Sequence, residues 1–289
     1  MKGSAFVPGH ITGFFEIFDS EDPGKAGSKG AGVVLDKGVY TTVKLREGGS
    51  VSVKLNGEIC DCPVTKAAVE DVLGPSHENF SVEVSHESEL PMKYGFGVSG
   101  AGAFGATLAI NRALGLDLTL NQCGAIAHRA EVINMTGLGD VIAQSVGGLV
   151  IRTEPGAPGT GKTDQIFSDK RIVTFIVGDE IDTKSILLDR TKTERINTFG
   201  RKCLIKLLKK PTPEHFLELS RNFAINAKLI DKKVHSAVSA LEKEGISSSM
   251  SMLGNSVFTL TSDPKRVAEH LDFQYMIADI DYIGARIMV

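Results

Sequence analysis

Between Pro91 and Ala101 the chain reads PMKYGFGVSGA and then runs directly into an alanine- and leucine-rich stretch, Ala101–Leu114, closed by Gly115. No other feature restricts the fold as much. Gly95, Gly97 and Gly100 leave no room for a regular strand, whereas the segment behind them has the composition of a helix with a glycine stop. A glycine turn opening onto a helix presents bare backbone N–H groups, and the helix dipole favours an anion there. Ser99 adds a hydroxyl able to touch a phosphate or a magnesium ion. Read alone, the same residues also satisfy an ordinary helix cap.

The glycines extend this argument. Of 31, eight lie within 3–38, five within 95–105 and seven within 137–161. Loops that approach a ligand are therefore expected in the first 161 residues. Formal charge is −3, from 32 basic and 35 acidic side chains. That balance speaks against a phosphate-tracking nucleic-acid binder. No apolar run is long enough for a membrane span, and MKGSAFVPGHITGFF lacks the pattern of a signal peptide. A cytoplasmic protein with no membrane partner is expected. Cys60 and Cys62 form C-x-C, which is neither a zinc knuckle nor a C-x-x-C redox pair, so all four cysteines read as reduced thiols.

At 289 residues the chain has room for about two domains. Val33–Leu35, Val39–Leu45 and Val51–Leu55 read as antiparallel hairpin strands, split by Asp36-Lys37-Gly38 and Glu47-Gly48-Gly49. Helices are expected over Val64–Leu73, Ala101–Leu114 and Leu120–Asn134, the last capped by Thr119. From Ile172 onward the order is strand, helices, two strands, helix, strand, which resembles a split βαβ sandwich. The boundary falls near 168, giving domains 1–168 and 169–289.

Two motif matches carry less than their spelling suggests. Gly156–Thr163, GAPGTGKT, satisfies the P-loop pattern, but a strand rather than a helix follows, so a hairpin tip is expected. Gly95, Gly97 and Gly100 satisfy G-x-G-x-x-G, with Asp117 downstream, but Glu89–Lys93 is a poor central strand for a dinucleotide fold.

Pro91–Ala101 resembles the P-x-x-x-G-L-G-S-S-A-A motif of the GHMP kinases, with Phe96 for the leucine, Val98 for the first serine and Ser99 on the second. Pro8-Gly9-His10 through Glu16 resembles that family's entry motif, with His10 at its basic position and Phe15 where a glycine is usual. Glu131 and the GLGDVIAQSVGG run containing Asp140 resemble its acidic pair. The resemblance covers the whole chain and is nearest to the archaeal pantoate kinases. It implies an α+β GHMP kinase fold, with an N-terminal β-rich α/β domain and a C-terminal ferredoxin-like domain. It further implies transfer of phosphate from ATP, with Mg2+, to the primary hydroxyl of pantoate, a step towards coenzyme A, by an enzyme that is a homodimer.

On that resemblance Asp140 is the base, Ser99 and Glu131 hold the metal, and Gly95, Gly97, Val98, Ser99, Gly100 and Ala101 bind the phosphates. His10, Ser28, His128 and Arg152 are candidates for the substrate, Arg152 because a guanidinium grips a carboxylate bidentately. Ser28 reads as part of a Gly/Lys loop, GKAGSKG. A homoserine- or mevalonate-type kinase and a catalytically silent sensor on the same scaffold stay open. Glu16 or Asp19 would be available to a homoserine ammonium.

Overall fold

The computed structural model describes residues 1–180 and 183–288. Its first part contains β1 (Lys2–Phe18), β2 (Gly27–Glu47), β3 (Ser50–Leu55), β4 (Glu58–Ile59), α1 (Pro63–Leu73), β5 (Phe80–Ser88), α2 (Val98–Leu114), α3 (Leu120–Asn134), α4 (Asp140–Val146), β6 (Leu149–Glu154) and β7 (Lys162–Ile166). Then follow β8 (Arg171–Ile176), α5 (Thr183–Leu187), α6 (Arg190–Lys209), α7 (Pro213–Asn226), α8 (Lys232–Lys243), β9 (Ser249–Met250), β10 (Ser256–Thr261), α9 (Pro264–Ala268), β11 (Tyr275–Ala278) and β12 (Arg286–Met288).

The larger sheet has the order β12-β1-β2-β5-β3-β4, with β6 on β2 and β7 on β6. The smaller is antiparallel, in the order β11-β8-β10-β9. That order is that of the ferredoxin-like split βαβ, and the whole is α+β. Helix α7 packs against β1 as well as β9 and β10, so it is shared between the sheets, and α6 packs against β1, β2 and α7. The division near 168 separates the two sheets, but the chain recrosses it: β12 pairs with β1, and Ile280 bridges Leu35.

The N-terminal hairpins differ from expectation. Asp36-Lys37-Gly38 is not a turn; it lies inside the single long β2, where the register against β1 shifts: Pro8 pairs with Gly38 and His10 with Val34, so the additional residues stand on β2. β3 does not pair with β2 at all. It runs parallel to β5, which stands between them, with α1 as the crossover. β1 itself escapes notice in the sequence because Gly3, Pro8, Gly9 and Gly13 resemble turn punctuation. These glycines instead allow close packing: a Cβ at Gly3 would overlap the Ala109 carbonyl of α2, and one at Gly13 would overlap Phe216 of α7.

The helices agree better. Thr119 caps α3 in a capping box with Gln122, and Thr212 caps α7 ahead of Pro213. Gly156–Gly161 forms the turn between antiparallel β6 and β7, and Lys162 and Thr163 open β7, with Lys162 paired to Glu154 at 2.8 Å. The expectation of four free thiols is corrected. Cys60 and Cys62 are joined in a disulfide, since the turn from β4 into α1 brings their Cα atoms to 5.4 Å. Cys123 and Cys203 are buried free thiols. No helix among the described residues is long and apolar enough to cross a membrane.

Candidate active site

A cavity of about 550 Å³ opens where the glycine loop, the mouth of α2, the end of α3 and the start of α4 meet. Gly97 adopts φ 64° as the residue before α2, a left-handed conformation that glycine enters without strain. No side chain caps this helix, which leaves the amides of Val98 and Ser99, at the cavity wall, for a ligand. The Ala101 amide is not among them, because it bonds the Gly97 carbonyl at 3.0 Å. Gly95, Gly97, Val98 and Ser99 line the cavity, whereas Gly100 and Ala101 stand behind it.

Glu131 and Asp140 come together over Gly137. A Cβ there would meet Glu131 Oε2 and stand 3.1 Å from Asp140 Oδ2. Glu131 is buried and accepts from Thr136 Oγ1 at 2.8 Å. Burial, reinforced by the charge of Asp140, pushes its carboxyl up to about 7, against the hydroxyls of Thr136 and Ser99. Among the described residues no cluster of three or more His, Cys, Asp or Glu side chains forms a closed metal cage. A buried carboxylate with a serine hydroxyl is the incomplete oxygen set that suits Mg2+ shared with phosphates.

Arg152 projects from β6 and is 1% exposed. Its Nε has no hydrogen-bond partner. Burial pulls the guanidinium down to about 10, with Asp140 opposing, so it remains a cation at neutral pH. Ser28 stands beside it, both touching the space that a Cβ on Gly139 would fill, 2.6 Å from Arg152 Nε. Ser28 is not in a mobile loop: it lies in β2, paired with Ile17, and donates to the Leu138 carbonyl at 3.3 Å.

The two histidines sit one layer back from the cavity wall. His128 Nε2 donates to the Ala26 carbonyl at 2.8 Å, which anchors the segment leading into Ser28. His10 is fully buried behind Asp140, with Nδ1 at 2.6 Å from Asp140 Oδ1. Burial lowers the pKa of both rings. Glu16 is committed to Arg201 at 2.7 Å and lies off the cavity wall, as does Asp19.

A family model, the GHMP kinases N terminal domain, matches residues 64–148. The chain is 37% identical to the pantoate kinase of Thermococcus kodakarensis, over 96% of this chain and 95% of that protein. It is 40% identical to the pantoate kinase of Methanocaldococcus jannaschii, over 89% and 92%. The chain belongs to the GHMP kinase family. A solved phosphotransferase related to the CoA biosynthesis pathway superposes with a TM-score of 0.89 at 35% identity, covering 100% of this chain and 99% of that one. A homoserine kinase from Cytophaga hutchinsonii (TM-score 0.70, 13% identity, 99% of this chain and 97% of that one) shares the fold.

The Ser248–Phe258 segment reaches the cavity through Met252 and Leu253. Gly254 packs so tightly on Tyr94 that no side chain would fit, and Ser256 Oγ bonds the Tyr94 carbonyl at 2.7 Å. The largest omission of the sequence reading is the far end of the cavity. Leu55, the Cys60–Cys62 disulfide, Val64, Thr65 and His86 form a mostly apolar slot there. Thr41 and Thr65 occupy both nitrogens of His86, and burial lowers that ring to about 4. No motif spells this slot, because its residues come from three separate elements.

Proposed function

We propose that this enzyme transfers the γ-phosphoryl group of ATP to the primary hydroxyl of pantoate, giving 4-phosphopantoate. The observation that carries the substrate assignment is Arg152, a buried guanidinium at the cavity wall with an unpartnered Nε and the Ser28 hydroxyl beside it. A buried guanidinium N–H left without an acceptor is costly, and a substrate carboxylate is the group that relieves it, with bidentate geometry. The names of the Thermococcus and Methanocaldococcus relatives point the same way. A homoserine-type acceptor is disfavoured, since Glu16 is already paired with Arg201.

In this reading Arg152 and Ser28 anchor the carboxylate and turn the primary hydroxyl towards Asp140. Asp140 accepts its proton as the oxygen attacks phosphorus, a contribution of typically 100- to 10,000-fold, order of magnitude. The free amides at the mouth of α2 hold the phosphates and meet the charge that grows on them. Glu131 and Ser99 would hold Mg2+, which supplies further positive charge to the transferring group. The apolar slot by α1 would take the nucleoside. His128 acts at one remove, by fixing the segment that carries Ser28. Both reactants are soluble metabolites, so the cytoplasm is the expected compartment. The homodimer implied by the family resemblance is checked by sedimentation.

The test is coupled ADP release with pantoate, homoserine and mevalonate as acceptors. Preferred turnover of pantoate is expected, and preference for either other alcohol overturns the assignment.

A further inference from the structure

We propose that His10 is a positioning residue: its Nδ1–H holds the Asp140 carboxylate in line, while its Nε2 accepts from Arg152 and ties the carboxylate anchor to the base. The geometry is a short relay. His10 Nδ1 lies 2.6 Å from Asp140 Oδ1, and His10 Nε2 lies 3.5 Å from Arg152 Nη1. Arginine can only donate, so Nε2 must accept and the ring proton must sit on Nδ1. That tautomer engages Oδ1 of Asp140 and leaves Oδ2, on the Gly137 side, for the substrate hydroxyl.

Three further observations support the placement. The ring is fully buried and does not line the cavity, so a substrate would reach it only through Asp140 or Arg152. The register of β1 on β2 shifts between Pro8 and His10, where β2 carries the additional residues, and the His10 backbone N–H bonds the Phe96 carbonyl at 3.0 Å, inside the glycine loop. One residue is thereby tied to the phosphate loop, the base and the anchor. Finally, Gly32 on β2 leaves the space the ring occupies; a Cβ there would overlap His10 Nε2. Burial depresses the ring's pKa more strongly than Asp140 raises it, so it is a neutral donor at neutral pH. A neutral donor orients Asp140 without neutralising its charge, which a lysine or arginine at the same place would do.

This inference rests on Asp140 being the base, and the experiment separates the two. Three variants divide the ring's duties. The amide of Asn superimposes on the Nδ1 edge and keeps the bond to Asp140; that of Gln reaches the Nε2 position and keeps only the Arg152 side; Ala keeps neither. Steady-state kcat and KM for pantoate are measured for each, with ATP saturating and folding checked by thermal melting. We expect His10→Ala and His10→Gln to lower kcat by about 10- to 100-fold, the range of an orienting partner behind a reactive side chain. His10→Asn is expected to recover most of kcat while KM for pantoate rises several-fold in Asn and Ala alike. A merely structural histidine would instead change melting temperature with kcat and KM unsplit. If Asp140→Asn abolishes turnover while folded His10→Ala keeps near-normal kcat, the positioning role is refuted and the base stands. If Asp140→Asn retains turnover, the base assignment fails first.

Discussion

Arg152→Ala tests the substrate reading at its most exposed point. In the wild-type chain the guanidinium is buried, charged and lacks a partner on Nε. Bound pantoate would present its carboxylate there. Truncating one member of a buried, hydrogen-bonded charge pair costs about 2–4 kcal/mol. At about 1.4 kcal/mol per decade this is roughly 30- to 1,000-fold in affinity. KM for pantoate should rise by that factor, while KM for ATP, whose groups bind at the α2 mouth and the α1 slot, should stay within about twofold. The useful control is neopentyl glycol, the same branched alcohol without the carboxylate. Wild type should handle it poorly, and Arg152→Ala should handle it no worse than wild type does. The two losses are one interaction counted twice, and the double-mutant cycle should show strong coupling. Arg152→Lys should recover only part of the affinity, since an ammonium cannot reproduce the planar fork. The assay is ADP release coupled to NADH oxidation. An unchanged KM for pantoate, or equal losses on both alcohols, would refute the carboxylate anchor.

Asp140→Asn should bind ATP normally, by calorimetry, yet lose about 100- to 10,000-fold in kcat. Ser99→Ala and Glu131→Ala should raise the Mg2+ concentration needed for half-maximal activity, read from titrations at fixed ATP. The pH dependence follows from Glu131, whose carboxyl burial lifts to about 7. Between its unfolded value and 7 the folded chain holds a proton that the unfolded chain has released, so stability falls as pH rises through that window. Metal-free Glu131→Gln should therefore match wild type near pH 4.5 and melt higher than wild type at pH 8, while Mg2+ affinity of the wild type weakens below pH 7. Lys162→Ala should leave KM for ATP unchanged, because Lys162 sits on a hairpin strand paired with Glu154, away from the cavity.

What could be read before folding was the chemistry that is local in sequence. A helix mouth is made by neighbouring residues, so Gly97, Val98 and Ser99 announce it, and a capping box at Thr119 needs only Gln122. Glycine was ambiguous for a physical reason. The same missing Cβ serves a left-handed turn at Gly97 and close strand–helix packing at Gly3 and Gly13, and spacing alone does not separate them. That ambiguity hid β1, split the single β2 at Gly38, and set β3 beside β2 where β5 stands between them. The relay behind the base was illegible for another reason: His10 and Asp140 are 130 residues apart. Their meeting depends on the register shift between β1 and β2 after Pro8 and on the absence of a side chain at Gly32, neither of which leaves a mark at either partner. His10 could be found in the sequence as a residue at a family position, but its work depends on what it touches. Placed by motif it reads as a substrate ligand; placed by register it faces the Asp140 carboxylate and the Arg152 guanidinium instead.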